Sequence, residues 1–173
     1  LVANTDTGVI SLSGGTLSSA DMSNAGLLDV VASSVLDPGA GGTATNSGAI
    51  DIQDGAVLTF VDGVLSNAGT IDLSTAGTLS VTGGTLAMAS GGVLAVDGEA
   101  RFSGDLEIAP GASFTLTTAD FVFDGGDIVG AGTLVNQSTM SLTADGSIAV
   151  ADFRIGTTGT LDASAGTIDI TSA

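Results

Sequence analysis

Three aspartates carry the best claim to chemistry in this chain. Asp29, Asp51 and Asp72 recur at a near-constant interval, each flanked on both sides by aliphatic residues, in Leu28-Asp29-Val30, Ile50-Asp51-Ile52 and Ile71-Asp72-Leu73. A strand alternates its side chains between two faces, so a carboxylate between two inward aliphatics points outward. If the three segments stack as successive turns, the carboxylates lie about 5 Å apart and repel by roughly 1 kcal/mol even in water. A bridging Ca2+ would relieve that repulsion, since hard cations take carboxylate oxygens. Asp29, Asp51 and Asp72 are therefore the candidate metal ligands. The alternative for the same residues is a solvated acidic stripe. A glycine-rich calcium repeat is missing, and Gly125-Gly126-Asp127 comes nearest with its residues in the wrong order.

Carboxylates about 5 Å apart also meet the separation used by retaining glycosidases. Such a site needs one carboxyl with a raised pKa in a closed cleft, together with platforms for the sugar. The chain has no Trp, Tyr, His or Lys, which leaves general acid–base catalysis almost without candidates. The expectation is a protein that is not an enzyme.

The aspartates belong to a recurring phrase. Asn67-Ala68-Gly69-Thr70-Ile71-Asp72-Leu73 returns as Asn24-Ala25-Gly26-Leu27-Leu28-Asp29-Val30 and as Asn46-Ser47-Gly48-Ala49-Ile50-Asp51-Ile52. Weaker echoes extend the series, and the glycine-equivalent positions become 26, 48, 69, 92, 112, 138 and 159. A near-fixed period of roughly 22 residues signals a solenoid. The repeated Asn24, Asn46 and Asn67 should then stack into a structural ladder, their amides bonding from turn to turn.

Within one period, short pieces alternate apolar and polar positions, as in Leu79-Ser80-Val81 and Leu86-Ala87-Met88. That is the period-two mark of a half-buried strand. Gly69, Gly77 and Gly84 fall between the pieces, where positive φ would favour glycine. Three short strands per turn, about 22 residues per turn and about eight turns give an all-β, right-handed parallel β-helix over residues 1–173. An antiparallel sandwich would explain the strand spacing but not the threefold longer repeat of the Asn-x-Gly phrase.

The core columns follow from the register. One runs Leu28, Ile50, Ile71, Leu94, Phe114, Met140 and Leu161, beside Val30, Ile52, Leu73, Val96, Leu116, Leu142 and Ala163. A second face gathers Ile10, Val57 or Leu58, Leu79, Phe102, Phe121, Ile148 and Ile168. A third gathers Leu17, Leu65, Leu86, Leu106, Leu134 and Phe153.

Composition narrows the partners. Nineteen acidic residues stand against Arg101 and Arg154, for a net charge of −17. Such a surface repels phosphate backbones and anionic lipid, so nucleic acid is not an expected partner. No apolar run reaches the length of a membrane helix, so membrane insertion is not expected either. Mean hydropathy is +0.54, too high for the disorder that acidity alone would suggest. With no cysteine, a disulfide framework or thiolate metal site is ruled out. Leu1 is not an initiator Met, and the segment reads as a fragment of a longer repeat protein.

The Asn-x-Gly-x-Ile-Asp-Ile phrase, together with Gly130-Ala131-Gly132-Thr133-Leu134-Val135-Asn136, resembles the β-helix repeats of large bacterial surface proteins. These are autotransporter passengers and filamentous-haemagglutinin-like adhesins. The resemblance covers residues 8 to 170 and rests on composition and period. It implies a secreted, extracellular stalk used in adhesion or biofilm, with neighbouring repeats, identical subunits or a cell-surface glycan or protein as partners. Two alternatives stay open: a subunit of an end-to-end extracellular fibre, and a calcium-, glycan- or ice-binding module. For ice, Thr43-Ala44-Thr45 and Thr115-Leu116-Thr117 supply candidate Thr-x-Thr pairs. Asn136-Gln137-Ser138 matches a glycosylation sequon.

Overall fold

The computed structural model describes residues 1–117 and 120–172. Within them the chain is all-β and winds as a parallel β-solenoid of about eight turns with about 21 residues per turn. A full turn contributes one strand to each of three faces.

The first face stacks β1 (Val2–Asn4), β3 (Asp21–Asn24), β5 (Thr43–Asn46), β8 (Val64–Asn67), β11 (Thr85–Met88), β14 (Asp105–Ile108) and β21 (Ile168–Ser172). The second holds β6 (Ala49–Ile52), β9 (Thr70–Leu73), β12 (Val93–Val96) and β15 (Ser113–Leu116). The third holds β7 (Val57–Phe60), β10 (Thr78–Val81), β13 (Glu99–Phe102), β16 (Asp120–Phe123), β18 (Thr139–Leu142) and β20 (Thr160–Asp162). Four long strands turn a corner without a break. β2 (Val9–Ser18) and β4 (Leu27–Asp37) serve the second and third faces, while β17 (Asp127–Asn136) and β19 (Gly146–Ile155) serve the first and second. The pairings among the described residues are parallel.

Such short strands suffice because each has two inward and two outward positions. In β10, Leu79 and Val81 are fully buried while Thr78 and Ser80 remain partly exposed. The inward aliphatics stack in register, Leu28 on Ile50 on Ile71 on Leu94. Each fully buried Leu or Ile contributes about 1.5–3 kcal/mol of hydrophobic stabilisation. Phe102, Phe114, Phe121 and Phe123 form an aromatic cluster, with Phe102 stacked on Phe121 at 4.9 Å between ring centroids.

Beyond Leu94 the columns depart from the sequence expectation. Phe114 pairs with Leu134, and Leu134 with Phe153, on the second face. Met140 and Leu161 lie instead on the third face, in line with Phe121. Ile148 belongs to the first face, stacked on Ile128 and Ile170, and Ile168 joins the same face opposite Gly146. The first turn departs as well: Leu17 does not join Leu65 but lies on the third face against Leu36, in line with Phe60, and Ile10 does not join Leu79 but lies on the second face against Leu28.

The glycines also have a different reason from the expected one. Gly69, Gly77 and Gly84 do not have positive φ; the turn-tip glycines Gly55, Gly91 and Gly111 do. At Gly69 a Cβ would run into the carbonyl oxygen of Gly48, and at Gly77 it would lie 2.7 Å from that of Ile52. Close backbone approach, not φ, selects glycine there.

Candidate functional site

The structure brings Asp29, Asp51 and Asp72 together as the sequence suggests. They are directly paired neighbours on β4, β6 and β9, and their carboxylates form one outward stripe. Ser11 precedes the stripe and Ala95 ends it. Burial, then the carboxylates of Asp72 and Asp29, push the Asp51 carboxyl above the ordinary aspartate range; a hydrogen bond from Gln53 pulls the other way.

Gln53 is a component that sequence reasoning missed. Its Nε2 donates to Asp29 Oδ1 and to Asp51 Oδ2, each at 3.0 Å. It bridges the two carboxylates with a neutral donor, which offsets part of their mutual repulsion without cancelling it. The signal was available: two positions beyond Asp51, Gln53 shares its outward face. Among the described residues no group of three or more acidic side chains is arranged to hold a metal ion.

Asn24, Asn46 and Asn67 do form a ladder, and it is longer than expected. Asn4 joins at the start, in register with Asn24. Asn4 Nδ2 donates to Asn24 Oδ1 at 2.7 Å, Asn24 to Asn46 at 2.8 Å, and Asn46 to Asn67 at 2.7 Å. Each Nδ2 also donates to a backbone carbonyl one turn on: Leu27, Ala49, Thr70 and Val93 in order. The ladder ends where Asn67 meets Met88 Sδ at 3.8 Å. Asn4 escaped notice because Thr5, Asp6 and Thr7 separate it from Gly8, which hides the Asn-x-Gly phrase.

Asn136 of the sequon is fully buried on the second face. Its Nδ2 donates to the Thr160 carbonyl at 2.9 Å and its Oδ1 accepts from the Ser138 amide at 3.1 Å. A side chain so placed cannot receive a glycan in the folded rod.

The two arginines pair within their own strands, Arg101 with Glu99 at 2.8 Å and Arg154 with Asp152. The Thr43 and Thr45 pair lies between Asp21 and Ser23 on one side and Val64 and Ser66 on the other, so its threonine rank is one turn deep. An open groove of about 330 Å3 runs along the corner of Thr75, Thr78, Asp97, Glu99 and Asp120. No helix among the described residues is long and apolar enough to cross a membrane.

The fold thus defines a class, the parallel β-solenoids, with an internal amide ladder and an acidic outer stripe. No protein-family model, curated protein or solved structure matches the chain.

Proposed function

We propose that this chain is a non-catalytic structural and adhesive stalk of a bacterial extracellular surface protein. The observation that carries the reading is where the polar groups are spent. The buried amides of Asn4, Asn46 and Asn67 hold one turn to the next, while the acidic residues Asp29, Asp51 and Asp72 take outward positions. The Asp29, Asp51 and Asp72 stripe lies on a strand face, not in a cleft, which supports a solvated surface over an acid–base pair. Neighbouring repeats of the same protein, and cell-surface glycan or protein, are the partners this reading brings with it. About eight turns at ~4.8 Å per turn make a spacer on the order of 40 Å long.

The test is display of the chain between a surface anchor and a fluorescent tip. A stalk holds the tip at one distance, further out than the anchor alone by the length of the rod, with a narrow spread. A spread as broad as that of a flexible Gly/Ser linker of equal residue count would overturn the spacer reading. Specific cleavage of a polysaccharide by the purified protein would overturn its non-catalytic part.

A further inference from the structure

One inward column of the first face runs Met22, Ala44, Leu65, Leu86, Leu106 and Ile128 in register. Ala44 stands where its neighbours on both sides carry long side chains, so its layer is short of several carbon atoms. A second alanine in a core column, Ala100, lies between Leu79 and Phe121, and the rings of Phe102 and Phe121 stack at 4.9 Å beside it. Ala100 is 0% exposed, whereas Ala44 is 4% and its neighbour Met22 7%. The layer of Ala100 is filled and that of Ala44 is not.

The missing atoms leave a cavity around Ala44, lined by Leu17, Met22, Leu28, Leu36, Ile50 and Leu65. The centre of a water-sized sphere can roam over about 30 Å3 of it, where one water needs about 10–15 Å3. Room for water exists, but partners for it do not. Of the four polar residues at the edge, Ser23 and Thr45 occupy outward positions, while Asn24 and Asn46 take the inward side. Asn24 Nδ2 donates to Asn46 Oδ1 and to the Ala49 carbonyl, and Asn46 Nδ2 to Asn67 Oδ1 and the Thr70 carbonyl. Both N–H bonds of each amide are thus engaged, and each oxygen already accepts from the preceding asparagine. A buried water makes about three hydrogen bonds, and a void lined by Leu and Ile without such partners stays dry.

We propose that this cavity is a binding site for a small apolar guest, an uncharged atom or molecule of xenon size with no hydrogen-bonding group. Dispersion supplies the attraction, because wall atoms that face a void lack the contacts a polarisable guest restores. Ala44 is the residue that makes the room. The inference goes beyond the stalk reading and does not depend on it, since the cavity lies among core side chains whatever the outer surface of the rod carries.

Xenon dissolved under pressure with the full chain is the probe. The methyl resonances of Ala44, Leu28, Ile50 and Leu65 should move along a saturating curve, at least about fivefold further than those of Leu86 and Leu106, which are fully buried in filled layers. Ala44→Leu gives the layer the side chain its column neighbours carry and should abolish that difference. Ala44→Val makes the same test with a smaller insertion, should the larger one prevent folding; it should at least halve the xenon response and leave Tm no lower than in the wild type. Equal movement at both sets of methyls, or an undiminished response in Ala44→Val, would overturn the site. So would a drop in Tm for Ala44→Val, which would show that no room exists, or a long-lived water detected by its nuclear Overhauser contact with the Ala44 methyl.

Discussion

Asn46 Nδ2 lies 2.7 Å from Asn67 Oδ1, and the same nitrogen lies 3.0 Å from the Thr70 carbonyl. One amide therefore fastens two turns through side chain and backbone at once, at a residue only 1% exposed. Its own Oδ1 accepts from Asn24. Removing it strands partners on both sides.

We expect Asn46→Ala to lower unfolding free energy by about 2–4 kcal/mol, since each buried polar group left unsatisfied costs about 1–3 kcal/mol. Asn46→Asp should be worse at pH 7. It puts an unpaired carboxylate against the Asn67 and Thr70 oxygens, and the defect should shrink on acidification as that carboxyl takes a proton. Urea titrations at pH 7 and pH 4 check both expectations.

Gly69 and Gly111 separate two reasons for glycine. Gly69→Ala drives a Cβ into the Gly48 carbonyl, an obstacle made of backbone, and should fall at the upper end of the about 1–3 kcal/mol typical of overpacking. Gly111→Ala meets nothing within 4 Å but keeps a φ of +77°, a strain of about 1–2 kcal/mol. Thermal unfolding of the two variants should rank Gly69→Ala as the more damaging.

The acidic stripe makes a prediction about pH. The Asp51 carboxyl is held above its unfolded value, so its ionisation opposes folding. That penalty is absent below the unfolded aspartate range and fully present once pH has risen through the folded value. Asp51→Asn should therefore stabilise the protein at pH 7, by less than about 1 kcal/mol because water screens the stripe. The gain should vanish toward pH 3, where wild type and variant carry the same local charge. Paired melting curves across that window would show the two converging; parallel curves would contradict it.

Charge also sets a salt dependence. Both arginines are already paired with acids on their own strands, so a net charge of −17 has little internal compensation. Raising ionic strength from about 0.01 M to 0.15 M shortens the screening length from about 30 to 8 Å, and Tm should climb by several degrees. Calcium at matched ionic strength should do no more than sodium, because Gln53 already bridges Asp29 and Asp51. An extra rise with calcium that Asp51→Asn abolishes would assign the stripe as a cation site.

The sequence disclosed the rod and the middle of its stripe because positions 24 to 96 keep phrase and strand in step. Past Leu94 the echo misleads. It carries Ala112 forward to Ser138, but the Ala112 carbonyl accepts from the Thr133 amide, so the true layer partner is Gly132. The confusion arises because β17 passes from the first face to the second as one strand, turning at Gly130-Ala131-Gly132 without the Asn-x-Gly phrase. Asn4 escapes sequence reading because its partner Asn24 lies one turn away and its own Asn-x-Gly phrase is interrupted, whereas Gln53, two positions beyond Asp51 on the same face, was legible locally.

The amides of the asparagine ladder all aim the same way. From Asn4 to Asn67, each side-chain nitrogen is offered to the turn that comes later in the chain. A polypeptide emerging with its N-terminus first would find, at each coil from Asn4 to Asn67, a donor already oriented for the carbonyl still to arrive. Each of these coils is thereby a template for its successor, and this stretch of the rod has a grain that distinguishes winding up from either end.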